Sequence, residues 1–155
     1  MPVKIFFCYA HEDEVLLKKL QTHLKPLQRQ GLIDIWHDRD INAGTEWERE
    51  IDNHLNDAQI ILLIISPDFM ASEYCYSKEM QRAMERHEDG EACVIPVILR
   101  PVDWQGALFG KLHVLPKDGK PITNWSKLDR AFLDTAKGIR KAIEESLSRL
   151  LCKYF

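Results

Sequence analysis

The sequence predicts an α/β fold built on a parallel sheet, and three observations carry that expectation. Apolar runs alternate with stretches of helical periodicity from end to end. One run, residues 60–66 (IILLIIS), is apolar on both faces and β-branched, as a strand covered on both sides must be. Residues that stop helices or strands, such as Gly31 and Pro67, fall at the joints between these segments.

Residues 3–9 read as the first buried strand. Residues 12–30 then place Val15, Leu16, Leu20, Leu24 and Leu27 at helical spacing, and Gly31 ends that helix. Residues 32–36 form a short second strand, followed by a polar segment, 37–46, with Gly44 as its flexible point. Trp47, Ile51 and Leu55 mark a short second helix. The central strand, 60–66, stops at Pro67, and residues 73–87 form the next helix, with Tyr76, Met80, Ala83 and His87 on one stripe. Residues 92–99 are a fourth strand closed by Arg100 and Pro101. The stretch 102–125 is irregular, with 112–115 as a short edge strand. A capping box, Ser126-x-x-Asp129, opens a long helix carrying Leu128, Phe132, Ile139, Ile143, Leu147 and Leu150. The expected architecture is a flavodoxin-like five-stranded parallel sheet, order 2-1-3-4-5, with helices on both faces.

The 155 residues suit one domain over 1–155, large enough to bury a core without a metal or disulfide. A net charge of −3 argues against a nucleic-acid partner, since no basic excess exists to neutralise phosphates. Acidic Glu12-Asp13-Glu14 against Lys18-Lys19 reads as a solvated surface. Cys8, Cys75, Cys93 and Cys152 show no zinc or redox spacing and read as free thiols of a reducing compartment. The longest apolar run is too short for a bilayer and the amino terminus lacks a signal-peptide layout, so the expectation is a cytoplasmic protein with no membrane partner. The apolar end, Leu147 to Phe155, suits either packing on the domain or continuation into a longer protein with further domains.

In sheets of this order, ligands bind beyond the carboxyl ends of the strands where strand order reverses. Here that crevice lies between the loops after strands one and three. The first loop, Tyr9-Ala10-His11-Glu12-Asp13, has no glycine and cannot wrap a phosphate as a P-loop does. Strand three ends in Ser66, where a phosphoacceptor receiver needs an aspartate. After it, Ser72, Cys75 and Glu79 fall at i, i+3 and i+7, one stripe of a helix. A carboxylate at the edge of an apolar stripe is a candidate for tuned chemistry; the alternative is a solvated glutamate paired with Lys78 or Arg82.

These residues resemble a TIR (Toll/interleukin-1 receptor homology) domain of the bacterial type. The matching stretches are Ile5 to Asp13, Trp36-His37-Asp38-x-Asp40-Ile41-x-x-Gly44-x-x-Trp47, Ala58 to Ser66, Ser72-x-Tyr74-Cys75 with Glu79, Val94 to Trp104, and Leu115-Pro116. The likeness spans nearly the whole chain in order. Some members of that family are scaffolds acting by homotypic assembly; others, in immune or cell-death signalling, cleave NAD⁺ to nicotinamide and ADP-ribose or a cyclic isomer. The enzymes carry a glutamate on the helix after strand three, the place of Glu79. In plant and animal members it follows the cysteine position by three residues, whereas Glu79 follows Cys75 by four. On an α-helix that step would turn the side chain by about 100°. Either the helix starts one residue later or Glu79 points elsewhere.

The resemblance therefore implies an NAD⁺ nucleosidase with Glu79 as its catalytic residue, NAD⁺ as substrate and no cofactor or metal. Breaking the nicotinamide–ribose bond passes through an oxocarbenium-like state, and the leaving group is neutral, so no general acid is needed. Glu79 would hold the ribose hydroxyls and offset the developing positive charge. Tyr9 or Tyr74 would stack on nicotinamide, and His11 with the backbone at Ala10 would meet the pyrophosphate. Ser66 and Ser72 are further donors, with Cys75 beside them. Trp47 is either a packing residue or a stacking wall completed by a neighbouring subunit. The family's assembly loop maps onto Asp38, Asp40 and Gly44, whose alternative is an exposed acidic turn. A non-catalytic TIR–TIR scaffold and a nucleotide sensor that binds without cleaving are the competing classes.

Overall fold

A computed structural model describes residues 2–36 and 47–154, excepting the side chains of 47–48 and 147–154. Its frame is a parallel sheet of β1 (Val3–Cys8), β2 (Ile33–Ile35), β3 (Ile60–Ile65) and β4 (Cys93–Ile98) in the order β2-β1-β3-β4. Ile5–Cys8 of β1 and Cys93–Ile98 of β4 flank β3 in register, Phe7 opposite Leu62 and Leu62 opposite Ile95. All six β3 residues are buried, which is why the segment carries no polar alternation.

The pleat sorts the core into two layers. Ile5, Phe7, Ile60, Leu62, Ile64 and Val97 face α1 (Glu14–Arg29) and α5 (Leu128–Tyr154). Phe6, Cys8, Ile61, Leu63, Ile65 and Ile98 face α2 (Trp47–Asp57), α3 (Pro67–Ala71) and α4 (Met80–Glu88). Each fully buried Leu or Ile contributes about 1.5–3 kcal/mol by leaving water. A one-residue slip of β3 would exchange the two layers.

The ends of the elements follow from their residues. Gly31, at φ +74°, terminates α1. Its N–H donates to the Gln28 carbonyl at 3.0 Å and the Leu32 N–H donates to Leu27 at 3.1 Å, a paired C-terminal closure that needs a left-handed residue. Pro67 sits in the first turn of α3, where a missing N–H costs nothing, and Ser66 caps that helix through Phe69 N.

Four expectations need correction. The fifth strand is reduced to one parallel bridge between Val97 and Leu115, with the Ile98 N–H donating to the Leu115 carbonyl at 2.7 Å. Pro116, next in the chain, has no N–H to extend a ladder. Gly138 of α5 lies hard against Leu115, so a methyl group there would meet its side chain at 2.5 Å. Val15 is 69 % exposed and Leu17 takes its place in the core, because a 3-10 turn at His11–Asp13 shifts where the α-helix begins. Helix α5 starts at Leu128, one residue beyond the position a Ser126 cap would set, and its first bond runs from Ala131 N to Lys127 O. Lastly, the helix expected over 73–87 is two pieces: a π-turn, Tyr74–Glu79, and then α4.

Among the described residues no helix is long and apolar enough to cross a membrane.

Candidate active site

A cleft of about 710 Å³ opens at the carboxyl ends of β1 and β3, the reversal point of the sheet. Its volume falls in the range of small-molecule sites. Phe6, Tyr9, Trp36 and Tyr74 give it aromatic walls, and Cys75 and Glu79 line it beside Ser72.

Glu79 is only 6 % exposed, so it is not the solvated glutamate of the alternative reading. The π-turn explains how it arrives there. The Met80 N–H donates to the Cys75 carbonyl, an i→i+5 bond that takes one residue more per loop than an α-helix does. The wider loop accommodates the four-residue spacing from Cys75 to Glu79, and Glu79 lines the cleft with Cys75. The helix is neither delayed nor misdirected; it is locally overfilled. Ser72 fixes the start, its Oγ accepting from Cys75 N at 3.1 Å. Met80 and Ala83, both fully buried, then lock the following turn onto the sheet.

Below Glu79 lies a pair of thiols. One ligating atom each from Cys8, Cys75 and Glu79 falls within 4.8 Å of the others, and all three residues are buried. Cys75 Sγ donates to the Tyr9 carbonyl at 3.2 Å, and Cys8 Sγ lies 3.9 Å from the Cys75 carbonyl. Burial pushes the Cys8 thiol well above its ordinary value, with the neighbouring Cys75 and the Glu79 charge acting the same way. The hydrogen bond from Cys8 holds the Cys75 thiol below its ordinary value against the opposing effect of burial, and Ser72 assists.

A second polar cluster ties the loops together. Ser66 Oγ donates to Asp13 Oδ2, and Arg100 donates from Nε to Asp13 Oδ1 at 2.8 Å and from Nη2 to Asp68 Oδ2. Asp13 is 1 % exposed and so departs from the solvated surface that the acidic run suggested, whereas Glu12, Lys18 and Lys19 are exposed as expected. This cluster joins the segments that follow β1, β3 and β4.

The expected site residues divide accordingly. Tyr9, Ala10, His11, Ser72, Tyr74, Cys75 and Glu79 all line the cleft. Ser66 does not: it is fully buried, and its hydroxyl is engaged by Asp13 and Phe69. Trp47 is the first residue of α2, but its side chain lies outside the described set, as do Asp38, Asp40 and Gly44 altogether. The reading of the sequence missed Trp36, Asp68 and Ile51 as cleft residues. Trp36 follows β2 directly, so its place at a strand's carboxyl end was a usable signal. It stacks between Phe6 at 6.1 Å and His54 at 4.0 Å, which fixes the wall of the cleft.

Residues 5–129 match the sequence profile of the TIR domain. The chain belongs to the TIR-domain family. A relative from Sinorhizobium fredii, the uncharacterized protein y4lF, is 57 % identical over 138 residues, covering 89 % of this chain and 43 % of its own length. The chain therefore spans less than half the length of that curated relative. The crystal structure of the TIR domain of the Toll-related receptor TRR-2 from Hydra magnipapillata superposes with a TM-score of 0.58 at 21 % identity, covering 94 % of each chain. That likeness is one of fold. The parallel sheet and the helices on both its faces are thus the TIR architecture, and the bacterial relative accords with the bacterial-type motifs.

Proposed function

We propose that this TIR domain cleaves NAD⁺ at the nicotinamide–ribose bond, with Glu79 as the catalytic carboxylate. The observation that supports this best is a buried glutamate at the wall of an aromatic-lined cleft, held there by the π-turn. Departure of nicotinamide leaves an oxocarbenium-like ribose, and a carboxylate in a water-poor cleft offsets that charge far better than one in bulk solvent. Its oxygens also accept from the ribose hydroxyls. Tyr9 and Tyr74 offer ring faces to nicotinamide. The protein needs no cofactor for this step, since the substrate supplies a neutral leaving group.

Self-association through TIR–TIR contacts belongs to the same proposal. Among the described residues lining the cleft there is no lysine or arginine, and Arg100 is engaged by two aspartates. His11 is the basic side chain at the rim, its ring 91 % exposed. Lys78 lies outside the lining, its Nζ 5.8 Å from the centre of the Tyr74 ring. A pyrophosphate would therefore meet no lysine or arginine of the lining itself, which favours a site completed by a neighbouring copy, with Asp38, Asp40 and Gly44 at the contact.

The test is chromatography of NAD⁺ incubated with wild-type protein over a wide dilution series. Nicotinamide should appear in step with NAD⁺ loss, and activity per molecule should fall on dilution. Absence of nicotinamide from concentrated, assembled protein would leave a scaffold acting by homotypic assembly. Activity per molecule that stays constant on dilution would defeat the shared site.

A further inference from the structure

We propose that Cys8, Cys75 and Glu79 form a binding site for a thiophilic divalent cation of the zinc class, whose occupation switches off Glu79. The three residues come from the end of β1 and from the two ends of the Cys75–Glu79 stretch of the π-turn, with Cys8 and Cys75 separated by 67 positions. Ligand spacing along the sequence therefore cannot reveal them; the fold assembles them.

The chemistry of the donor set selects the ion. Two thiolates with one carboxylate suit zinc and disfavour magnesium or calcium, which take oxygen ligands. With Zn–S near about 2.3 Å and Zn–O near about 2.0–2.2 Å, neighbouring ligand atoms of a tetrahedron lie roughly 3.5–3.8 Å apart. The present atoms, all within 4.8 Å of one another, need to close by about 1.3 Å at most, within the reach of side-chain rotation. Cys75 and Glu79 line the cleft, while Cys8 is fully buried beneath them. The vacant fourth position would therefore point into the cleft, toward water or a sugar hydroxyl. Binding forms two Zn–S bonds and one Zn–O bond and releases the thiol protons to the buffer.

The regulatory half rests on the proposed cleavage of NAD⁺. A cation on Glu79 cancels the negative charge that the ribose needs and puts positive charge where positive charge develops. Zinc at the floor of the cleft is thus an inhibitor, and chelation restores activity.

The experiment uses the full chain, reduced and stripped with chelator, titrated with cobalt(II) as a spectroscopic stand-in. Wild type should give a thiolate-to-cobalt charge-transfer band that saturates at one ion per chain and is displaced by zinc. Cys8→Ala should lose the band, with Cys75→Ala as a second variant should the first not fold, while Cys93→Ser should keep it. No band in wild type, or an undiminished band in folded Cys8→Ala, overturns the site. One equivalent of zinc should lower nicotinamide release more than tenfold in wild type and leave Cys8→Ala unaffected. Zinc that displaces cobalt without slowing release overturns the regulatory half. A Cys8-dependent band in a chain that releases no nicotinamide even without metal upholds the site and instead defeats the cleavage reading.

Discussion

Two polar clusters, each built on a buried carboxylate, stand at the carboxyl end of the sheet, and they differ in where those carboxylates lie relative to the cleft. Asp13 is the more deeply buried, yet Ser66 holds one of its oxygens and Arg100 the other. Its bonds join three loops, so its work is to hold the frame. Glu79 is nearly as buried, but it borders the cleft and its soft neighbours are the thiols of Cys8 and Cys75. Burial alone therefore does not separate the two carboxylates; position does, since Glu79 lines the cleft and Asp13 does not.

The contrast can be broken by exchanging the two phenotypes. Glu79→Gln keeps size and one acceptor oxygen but loses the charge, so nicotinamide release should fall about a hundredfold to a thousandfold. The melting temperature and NAD⁺ affinity should stay close to wild type, because the charge matters most as the ribose becomes cationic. A folded mutant within about threefold of wild-type release would remove Glu79 from the catalytic role. Asp13→Ala should do the reverse. It strands the Ser66 hydroxyl and half of the Arg100 fork, at a cost of about 3 kcal/mol, a fall in Tm of roughly 6–12 °C. Release per folded molecule at low temperature should drop far less than in Glu79→Gln. Urea unfolding with parallel rate measurements separates the two effects.

Smaller effects sharpen the picture of the cleft. Tyr74→Ala removes a ring face and should raise KM up to about tenfold, with kcat nearly unchanged, in line with a stacking contact of about 0.5–1.5 kcal/mol. A fall confined to kcat would instead place Tyr74 at the reacting atoms. Alkylation should also distinguish the thiols. Cys75 lies at the cleft with its thiol held below its ordinary value, so at neutral pH it carries more thiolate than a free cysteine. Cys8 is fully buried with its thiol raised, and should react only on unfolding. Peptide mass mapping after brief treatment checks the order, and faster modification of Cys8 would contradict the described burial.

Much of this fold was legible because its signals are local. The apolar run Ile60–Ile65, buried on both faces, cannot be satisfied except between two layers, and Gly31 and Pro67 mark stops that backbone sterics enforce. Glu79, Cys75, Ser72 and Tyr9 were legible through the strand-end rule and the TIR-like motifs. What was not legible depends on contacts distant in sequence. Asp13 looks like surface until Arg100, 87 positions later, arrives beside it. Cys8 looks like a small hydrophobe until Cys75 and Glu79 close over it. The π-turn is invisible to a reading that assumes 3.6 residues per turn, since it lies between a start capped by Ser72 and a following turn whose Met80 and Ala83 are buried.

That π-turn supports the central claim, that Glu79 reaches the cleft despite its extra residue, and deletion of Ser77 tests it most directly. Ser77 is exposed in the turn, so removing it should let an ordinary α-helix run from Cys75 to α4 with Glu79 still facing the cleft. Nicotinamide release by the deletion variant should stay within about tenfold of wild type, and adding Glu79→Gln to it should abolish release. A deletion variant that folds with an unchanged melting temperature but loses release by more than about a hundredfold would contradict the account.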